Sequence, residues 1–455
     1  MGMQSTYLDR RVNICDVRNS GLKNYKGLEK FNLEDLENKA KSVACMTFKE
    51  FLTKNGPYYQ FSKNVQSLSS RLSEIYGTPF GEDELFKDEP ILGQATAFLV
   101  APDLVLTTAH VVALCRSLLE QESELKKFRF VFGFKMEDKS NCKNVFEKSD
   151  VYKLKKVVAY CYDRKSKRDW ALIRLTKEVV GRTPLPLDFN EVSEEADVYI
   201  MGHPSGLPLK LSYGAQVINS KSPNYFEVKM DSAPKGSSGS PVFLNNKVVG
   251  ILFAGPAKTS ELQNISYDIT NNYRGRNKRR CYTVTSHHIM SKNDRPYYLC
   301  NQISQLEIVQ MYLQKYENKS RNIINGDLCY KIGNFYLNAI MNDLVQGTYR
   351  ERAMNKAFKH LNKAFEKGSL QALPKLGLCY ERGYGTDADP IKAFQCHQKG
   401  YVLEVPESLY QLFRCFDQGI GAYADKSEAK KYFMEGVRKE APNFPKPLIR
   451  LKWLW

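Results

Sequence analysis

Residues Gly236 to Phe243 read GSSGSPVF: two glycines, three serines and a proline ahead of an apolar run that resumes after a short turn as KVVGILFAGP. An ordinary hairpin turn accounts for part of this, because Gly and Ser supply positive φ and local hydrogen bonds where strands reverse. A nucleophile loop asks for more. Main-chain N–H groups must turn toward a developing oxyanion, which calls for glycines around the serine, and a base must come from elsewhere in the chain. Ser238, between Gly236 and Gly239, is the candidate nucleophile, with the N–H groups of Gly236 and Ser238 as oxyanion donors.

Base and carboxylate candidates lie upstream. DLVLTTAHVVALC puts His110 directly after one apolar run and before a second, and RKSKRDWALIRL puts Asp169 at the start of the wholly apolar Trp170 to Ile173. A carboxylate beside such a run is partly buried and needs a donor, which an imidazole Nδ1–H can be. Singly, each residue has a structural reading, since a histidine in such a place is commonly a packed core or turn residue. What singles them out is the order His, Asp, Ser at intervals of 59 and 69 residues, each at a strand edge. That set divides the labour of acyl transfer: Ser238 attacks a carbonyl, His110 takes and returns the proton, and Asp169 orients the ring.

At 455 residues two or three domains are expected, and 42% hydrophobic with 12% aromatic residues excludes disorder throughout. The opening MGMQSTYLDRRVNICDVRNS is polar and no apolar run reaches membrane-spanning length. A soluble protein outside the general secretory route is therefore expected. Eleven cysteines without a CxxC pair argue against a disulfide framework and a zinc site, so reduced thiols, no cofactor and no metal are expected. The net charge of +17 admits nucleic acid, anionic membranes or acidic proteins as partners. Its densest cluster, RGRNKRR from Arg274 to Arg280, has no interleaved aromatics and reads as a solvated hairpin loop. MGMQST fits the loose N-myristoylation pattern at Gly2.

Along the chain, residues 1–80 show helical spacing in TFKEFLTKN and VQSLSSRLSEIYG and are expected as a helical N-terminal extension. Residues 81–298 carry ten short strand-like runs, from ATAFLV to CYTVTS, as a many-stranded antiparallel domain does. A helical linker over 299–325 and an α-helical repeat region over 326–455 follow. In that region Ala357, Ala393 and Ala429 stand successively 36 residues apart, and the same step carries Gly383-Tyr384-Gly385 onto Gly419-Ile420-Gly421 and Gly400 onto Gly436. This is the period of two-helix solenoid units, with small residues at close helix contacts and Gly-x-Gly at the turns.

TAFLVAPDLVLTTAHVV resembles the histidine strand of trypsin-like serine peptidases, DWALIRL their aspartate segment, GSSGSPVF their serine signature and MGHPSGLPLK a Gly-x-Pro-x-Gly turn. The match is nearest the bacterial Deg-type and glutamyl endopeptidase branches. The resemblance implies a double antiparallel β-barrel with His110, Asp169 and Ser238 in the cleft between barrels, and it makes His203 a structural turn residue. It also implies a specificity pocket with Ser232 at its base and Phe253, Ala254 and Gly255 along its wall. Ser232 carries no charge and Leu252 stands where glutamyl endopeptidases have a histidine, so neither a basic-residue nor a Glu preference follows; Asp231, one residue from Ser232, could restore the former. Ser237 replaces the aspartate of the zymogen ion pair, which excludes activation by that route. His287 and His288 are expected at the end of the last strand.

KLGLCYERGYGTDADPIKAF is similar to Sel-one-like repeats, which bind proteins or, passively, add stability. The copy from Ile332 has an insertion around Asn342 to Gly347, and in LYQLFRCFDQGIG Phe413 and Arg414 stand for the LG pair. Such an architecture without a leader is similar to proteins that intracellular bacteria deliver into host cells, so a cytosol, the cell's own or a host's, is the expected workplace. A serine endopeptidase with a protein substrate and repeats that recruit other proteins leads. A silent peptidase-fold scaffold predicts a missing triad member, and a basic nucleic-acid binder predicts salt-dependent binding without hydrolysis. All three triad candidates are present, and site chemistry outweighs charge, so nucleic acid is not expected as a partner.

Overall fold

The computed structural model describes residues 11–25, 31–76, 85–113, 125–230, 237–254, 268–272, 279–283, 297–320, 325–342 and 348–444. The chain divides into two compact units, Met1–Glu307 and Ile308–Trp455.

Six strands of the first unit, Val43–Phe48 (β1), Ala95–Ala101 (β2), Leu104–Thr107 (β3), Phe128–Phe132 (β4), Val151–Asp163 (β5) and Arg168–Leu175 (β6), close an antiparallel barrel in the order β5-β6-β3-β2-β1-β4. Strands β2 and β3 are buried along their whole length, as continuous apolar runs between turns require. Six more, Asp197–Gly202 (β7), Lys210–Asn219 (β8), Tyr225–Lys229 (β9), Pro241–Leu244 (β10), Lys247–Ala254 (β11) and Tyr297–Gln302 (β12), run β8-β7-β10-β11-β12-β9 and close through β9 and β8. In β8 and β9 the burial alternates with period two, whereas β7, β10 and β11 are buried nearly throughout. Ala215 and Val217 of β8 point inward and share one core with Phe226, Val228 and Leu252.

The expected helical extension does not hold as such. Helices occur at Ile14–Ser20 (α1), Leu33–Ala40 (α2) and Leu68–Tyr76 (α3). TFKEFLTKN, however, ends β1 and, after one 3-10 turn, forms a strand, Leu52–Asn55, in a hairpin with Tyr58–Phe61. Its helical spacing is real but is overridden by tertiary pairing, since β1 bonds β2 on one side and β4 on the other. A first-barrel strand therefore comes from before residue 81. Arg11–Val12 likewise adds an edge strand to β8. At the other end, the boundary at 298 cuts β12, and the linker expected as helical begins with the rest of that strand before the helix Glu307–Ser320. Of CYTVTS, the described residues Cys281 to Thr283 are not in the barrel: Arg279–Thr283 pairs with Asp268–Asn272 in a separate ribbon. The hairpin around RGRNKRR is thus present, while residues 273–278 of it and His287 and His288 lie outside the described residues.

After Ala109–Ala113 (α4) in the first unit and Glu307–Ser320 (α5), the repeat region contains Gly326–Met341 (α6), Thr348–Glu366 (α7), Ala372–Arg382 (α8), Pro390–Val402 (α9), Glu407–Gln418 (α10) and Lys426–Arg438 (α11). Gly383 and Gly419 end α8 and α10 in the left-handed region at φ 68° and 74°. A Cβ on Gly385 would collide with the carbonyl oxygen of Met354, and one on Gly421 with that of Pro390, positions again 36 apart. Phe358 on Tyr380 and Phe394 on Phe416 repeat the same edge-to-face contact at 5.4 Å. The step aligns Leu376 with Leu412 and Gly377 with Phe413, so the LG pair is displaced by one residue from the expected alignment. The reason is a compensated exchange: His397 packs on Gly377, whereas Phe433, its counterpart, packs on Phe413 at 5.5 Å.

Candidate active site

Strand β3 stops at Thr107 and the chain turns at once into the short α4, which carries His110. Beside it, β6 pairs Ala171 with Thr107, so continuing that register two residues back brings Asp169 level with the start of α4. The two side chains meet. Nδ1 of His110 lies 2.7 Å from Oδ2 of Asp169, and Oδ1 accepts the His110 main-chain N–H at 2.9 Å. The carboxylate is 9% exposed against 20% for the imidazole, so the acid is shielded while the base stays reachable. An ionised carboxylate only accepts, which puts the ring proton on Nδ1 and leaves Nε2 as the basic nitrogen.

Ser238 is half-buried in a turn anchored on both sides. The Gly239 N–H donates to the Leu252 carbonyl at 2.8 Å and the Leu252 N–H to the Ser240 carbonyl at 3.0 Å. Toward the first barrel, the Thr96 N–H donates to the Ser238 carbonyl at 2.9 Å, and the Thr107 hydroxyl donates to the Thr96 carbonyl at 2.7 Å. The serine is thereby tied, through one residue of β2, to the end of the strand that delivers His110. Ser237, in place of the zymogen aspartate, is buried and accepts from the Ser240 N–H.

Gly236, Ser232 and Gly255 lie outside the described residues. Phe253 and Ala254 end β11, where the ladder to β12 slips between Leu252 and Ala254. Leu252 belongs to the barrel core, and Phe253 beside it is buried. His203 is fully buried, stacked on Phe134 and bonded through Nδ1 to the Leu207 carbonyl at 2.9 Å. Desolvation pushes its pKa down to about 4, with Lys210 adding to the fall against that hydrogen bond, and the ring is bonded within its own turn. Among the described residues no group of three His, Cys, Asp or Glu side chains is arranged to hold a metal ion, and no helix is long and apolar enough to cross a membrane.

Sequence reasoning missed Thr96, Thr107 and Asn301. Asn301 is 1% exposed on β12 and accepts the Asp169 N–H at 2.8 Å. An amide inside the apolar YYLCNQ run was the available signal, because a buried amide needs partners.

A trypsin-like peptidase domain model matches residues 95–251, beginning at β2, and Sel1 repeat models match 344–369, 371–401 and 406–433. Among solved structures the chain is similar to an inactive form of Rv3671c from M. tuberculosis H37Rv, at 14% identity over 60% of this chain and 85% of that one, TM-score 0.27. It is also similar to the active form of the Rv3671c protease from M. tuberculosis, at 17% identity over 55% and 79%, TM-score 0.27. No curated protein matches it. With two closed barrels followed by stacked helix pairs, the chain carries a trypsin-like peptidase domain joined to C-terminal Sel1 repeats.

Proposed function

We propose that this protein is a serine endopeptidase in which Ser238 attacks the scissile carbonyl, His110 Nε2 takes the hydroxyl proton and passes it to the leaving amine, and Asp169 steadies the imidazolium. The observation that carries this reading is one carboxylate accepting both the main-chain N–H and the Nδ1–H of His110, at 2.9 and 2.7 Å. A carboxylate that needed only its burial satisfied has no call for ring and chain of the same histidine. The Ser238 loop, bonded to Thr96, supports the same assignment. The N–H groups of Gly236 and Ser238 are the oxyanion donors in this scheme, each worth about 3 kcal/mol to the transition state. A fluorophosphonate probe labels the native protein and fails on Ser238→Ala; equal labelling of the two sinks the assignment.

In this reading the Sel1 repeats bring the protein substrate to the cleft. A pocket without a fixed charge separates similar side chains by only about 1 to 3 kcal/mol. Tethering a substrate raises its local concentration to about the millimolar range and offsets weak fit at the cut site. Removing residues 308–455 should leave cleavage of a short peptide within a few-fold and slow cleavage of the physiological protein far more. Equal loss on both makes the repeats a buttress, and no loss on either places their role outside catalysis.

A further inference from the structure

We infer that Asn301 is a positioning residue of the catalytic apparatus: from the second barrel it holds the segment that carries Asp169, and through Asp169 it sets the orientation of His110. The inference rests on the endopeptidase reading for its kinetic consequence, though not for its geometric one. The Asn301 amide makes three hydrogen bonds, all to main chain. Its Oδ1 accepts the Asp169 N–H at 2.8 Å, and its Nδ2 donates to the Lys167 carbonyl at 2.8 Å and to the Asn224 carbonyl at 3.3 Å. Lys167 and Asp169 flank the start of β6 in the first barrel, whereas Asn224 leads into β9 in the second. One buried side chain thus clasps the acid-bearing turn to the neighbouring barrel.

The need for such a clasp follows from the ladder. Ala171 is the first residue of β6 paired to β3, because β3 has by then become α4. The Asp169 N–H goes to Asn301 instead. Asn301 in turn pairs with Ile251 of β11, and Ile251 with Pro241 of β10, three residues after Ser238. Two short routes therefore join Ser238 to His110: one through Thr96 and Thr107, the other through Pro241, Ile251, Asn301 and Asp169. The second route gives the carboxylate a defined place relative to the serine even though acid and nucleophile belong to different barrels. Pairing with β5, Lys167 Nζ on the Tyr225 hydroxyl and Arg168 Nε on Asn224 Oδ1 hold the outer parts of this segment. Loss of the amide therefore releases the Asp169 N–H and the Lys167 carbonyl in particular, and with them the fine placement of the carboxylate that orients the imidazole.

The test uses the full chain. Asn301→Ala, and Asn301→Ser should the alanine variant not fold, are assayed on a short peptide well below the melting temperature of each variant. A positioning role lowers kcat about a hundredfold with KM within about twofold, the scale of a small misplacement of reacting groups. A second readout needs no turnover: in Ser238→Ala protein the proton NMR signal of His110 Nδ1–H, sheltered by Asp169, should be sharp, and adding the Asn301 substitution should broaden or abolish it through solvent exchange. Lowered melting temperature with unchanged kcat and an unchanged Nδ1–H signal overturns the inference. If the native protein takes no fluorophosphonate, the endopeptidase reading fails by itself, and the NMR comparison still decides the role of Asn301.

Discussion

Gly239 holds φ at +88°, and a Cβ there would collide with the Thr96 carbonyl oxygen and the Thr107 hydroxyl. Those are the groups through which Ser238 and His110 are tied, so the glycine serves the approach of two barrels as well as the turn itself. Gly239→Ala should cost about 1 to 3 kcal/mol from backbone strain alone and should slow fluorophosphonate labelling in the molecules that remain folded. Thermal melting and labelling rate measured together check this; a stable variant that labels at the native rate refutes it. Asp169→Asn tests the acid with little change of shape. An amide offers a donor where a carboxylate accepts, which favours the wrong ring tautomer, and kcat should fall about four powers of ten with little effect on KM. At this scale the sequence is informative wherever function sits in contiguous residues, as in GSSGSP. It is silent on Asn301, which meets Asp169 across 132 residues of chain and acquires its meaning from the register of strands that no local pattern encodes.

Strand β1 decides what the first eighty residues can be. It bonds Ala97 and Phe98 of β2 through Ala44 and Val43, and Phe130 to Phe132 of β4 through Met46 to Ala44, so removing it opens the first barrel along two edges. Further back, Lys210 is fully buried at the start of β8, where its Nζ donates to Asn13 Oδ1 at 2.6 Å and to the Glu89 carboxylate, while Asn13 Nδ2 donates to Glu89 at 3.1 Å. Asn13, just before α1, is thereby pinned to both a β8 lysine and the approach to β2. Trimming residues 1–80 should give insoluble, unlabelled protein; a soluble fragment with restored or enhanced labelling would show those residues to be a removable pro-segment. Lys210→Met, which strands the Glu89 charge, should lower stability by about 3 kcal/mol or more in a denaturant titration. VACMTF is an apolar run, yet its last residue, Phe48, also satisfies helical spacing with Phe51 and Leu52. Six residues do not settle that contest; pairing with β2 and β4 does. The 36-residue repeat was easier to read because its glycines and alanines recur at fixed backbone geometry.

Among the described residues, each of the two compact units contains one buried imidazole besides the half-buried His110, namely His203 in the first and His397 in the second, and this links the architecture to pH. In the peptidase unit His203 has its pKa lowered from 6.5 to about 4, first by desolvation. In the repeat unit His397, packed on Gly377 with neither ring nitrogen hydrogen-bonded, has its pKa lowered from 6.5 to about 3 by desolvation and by Arg414. The folded chain refuses a proton that the unfolded chain accepts below pH 6.5. Stability from each neutral ring is therefore fully present above that pH and drains away as pH falls toward the folded value. The shifts correspond to on the order of 3 kcal/mol for His203 and 5 kcal/mol for His397. His203→Asn keeps a donor near the Leu207 carbonyl and removes the titration; His397→Leu removes it from the repeats. If the units fold independently, calorimetry between pH 7 and pH 4 should resolve two transitions, with His203→Asn flattening the acid dependence of one and His397→Leu that of the other. A single transition flattened by either variant would show the units to be one cooperative body. In that case repeats that stabilise the barrel, not repeats that recruit substrate, would account for the rate lost when residues 308–455 are removed. With independent transitions, a rate lost only on the protein substrate when residues 308–455 are removed is not a loss of barrel stability and supports recruitment.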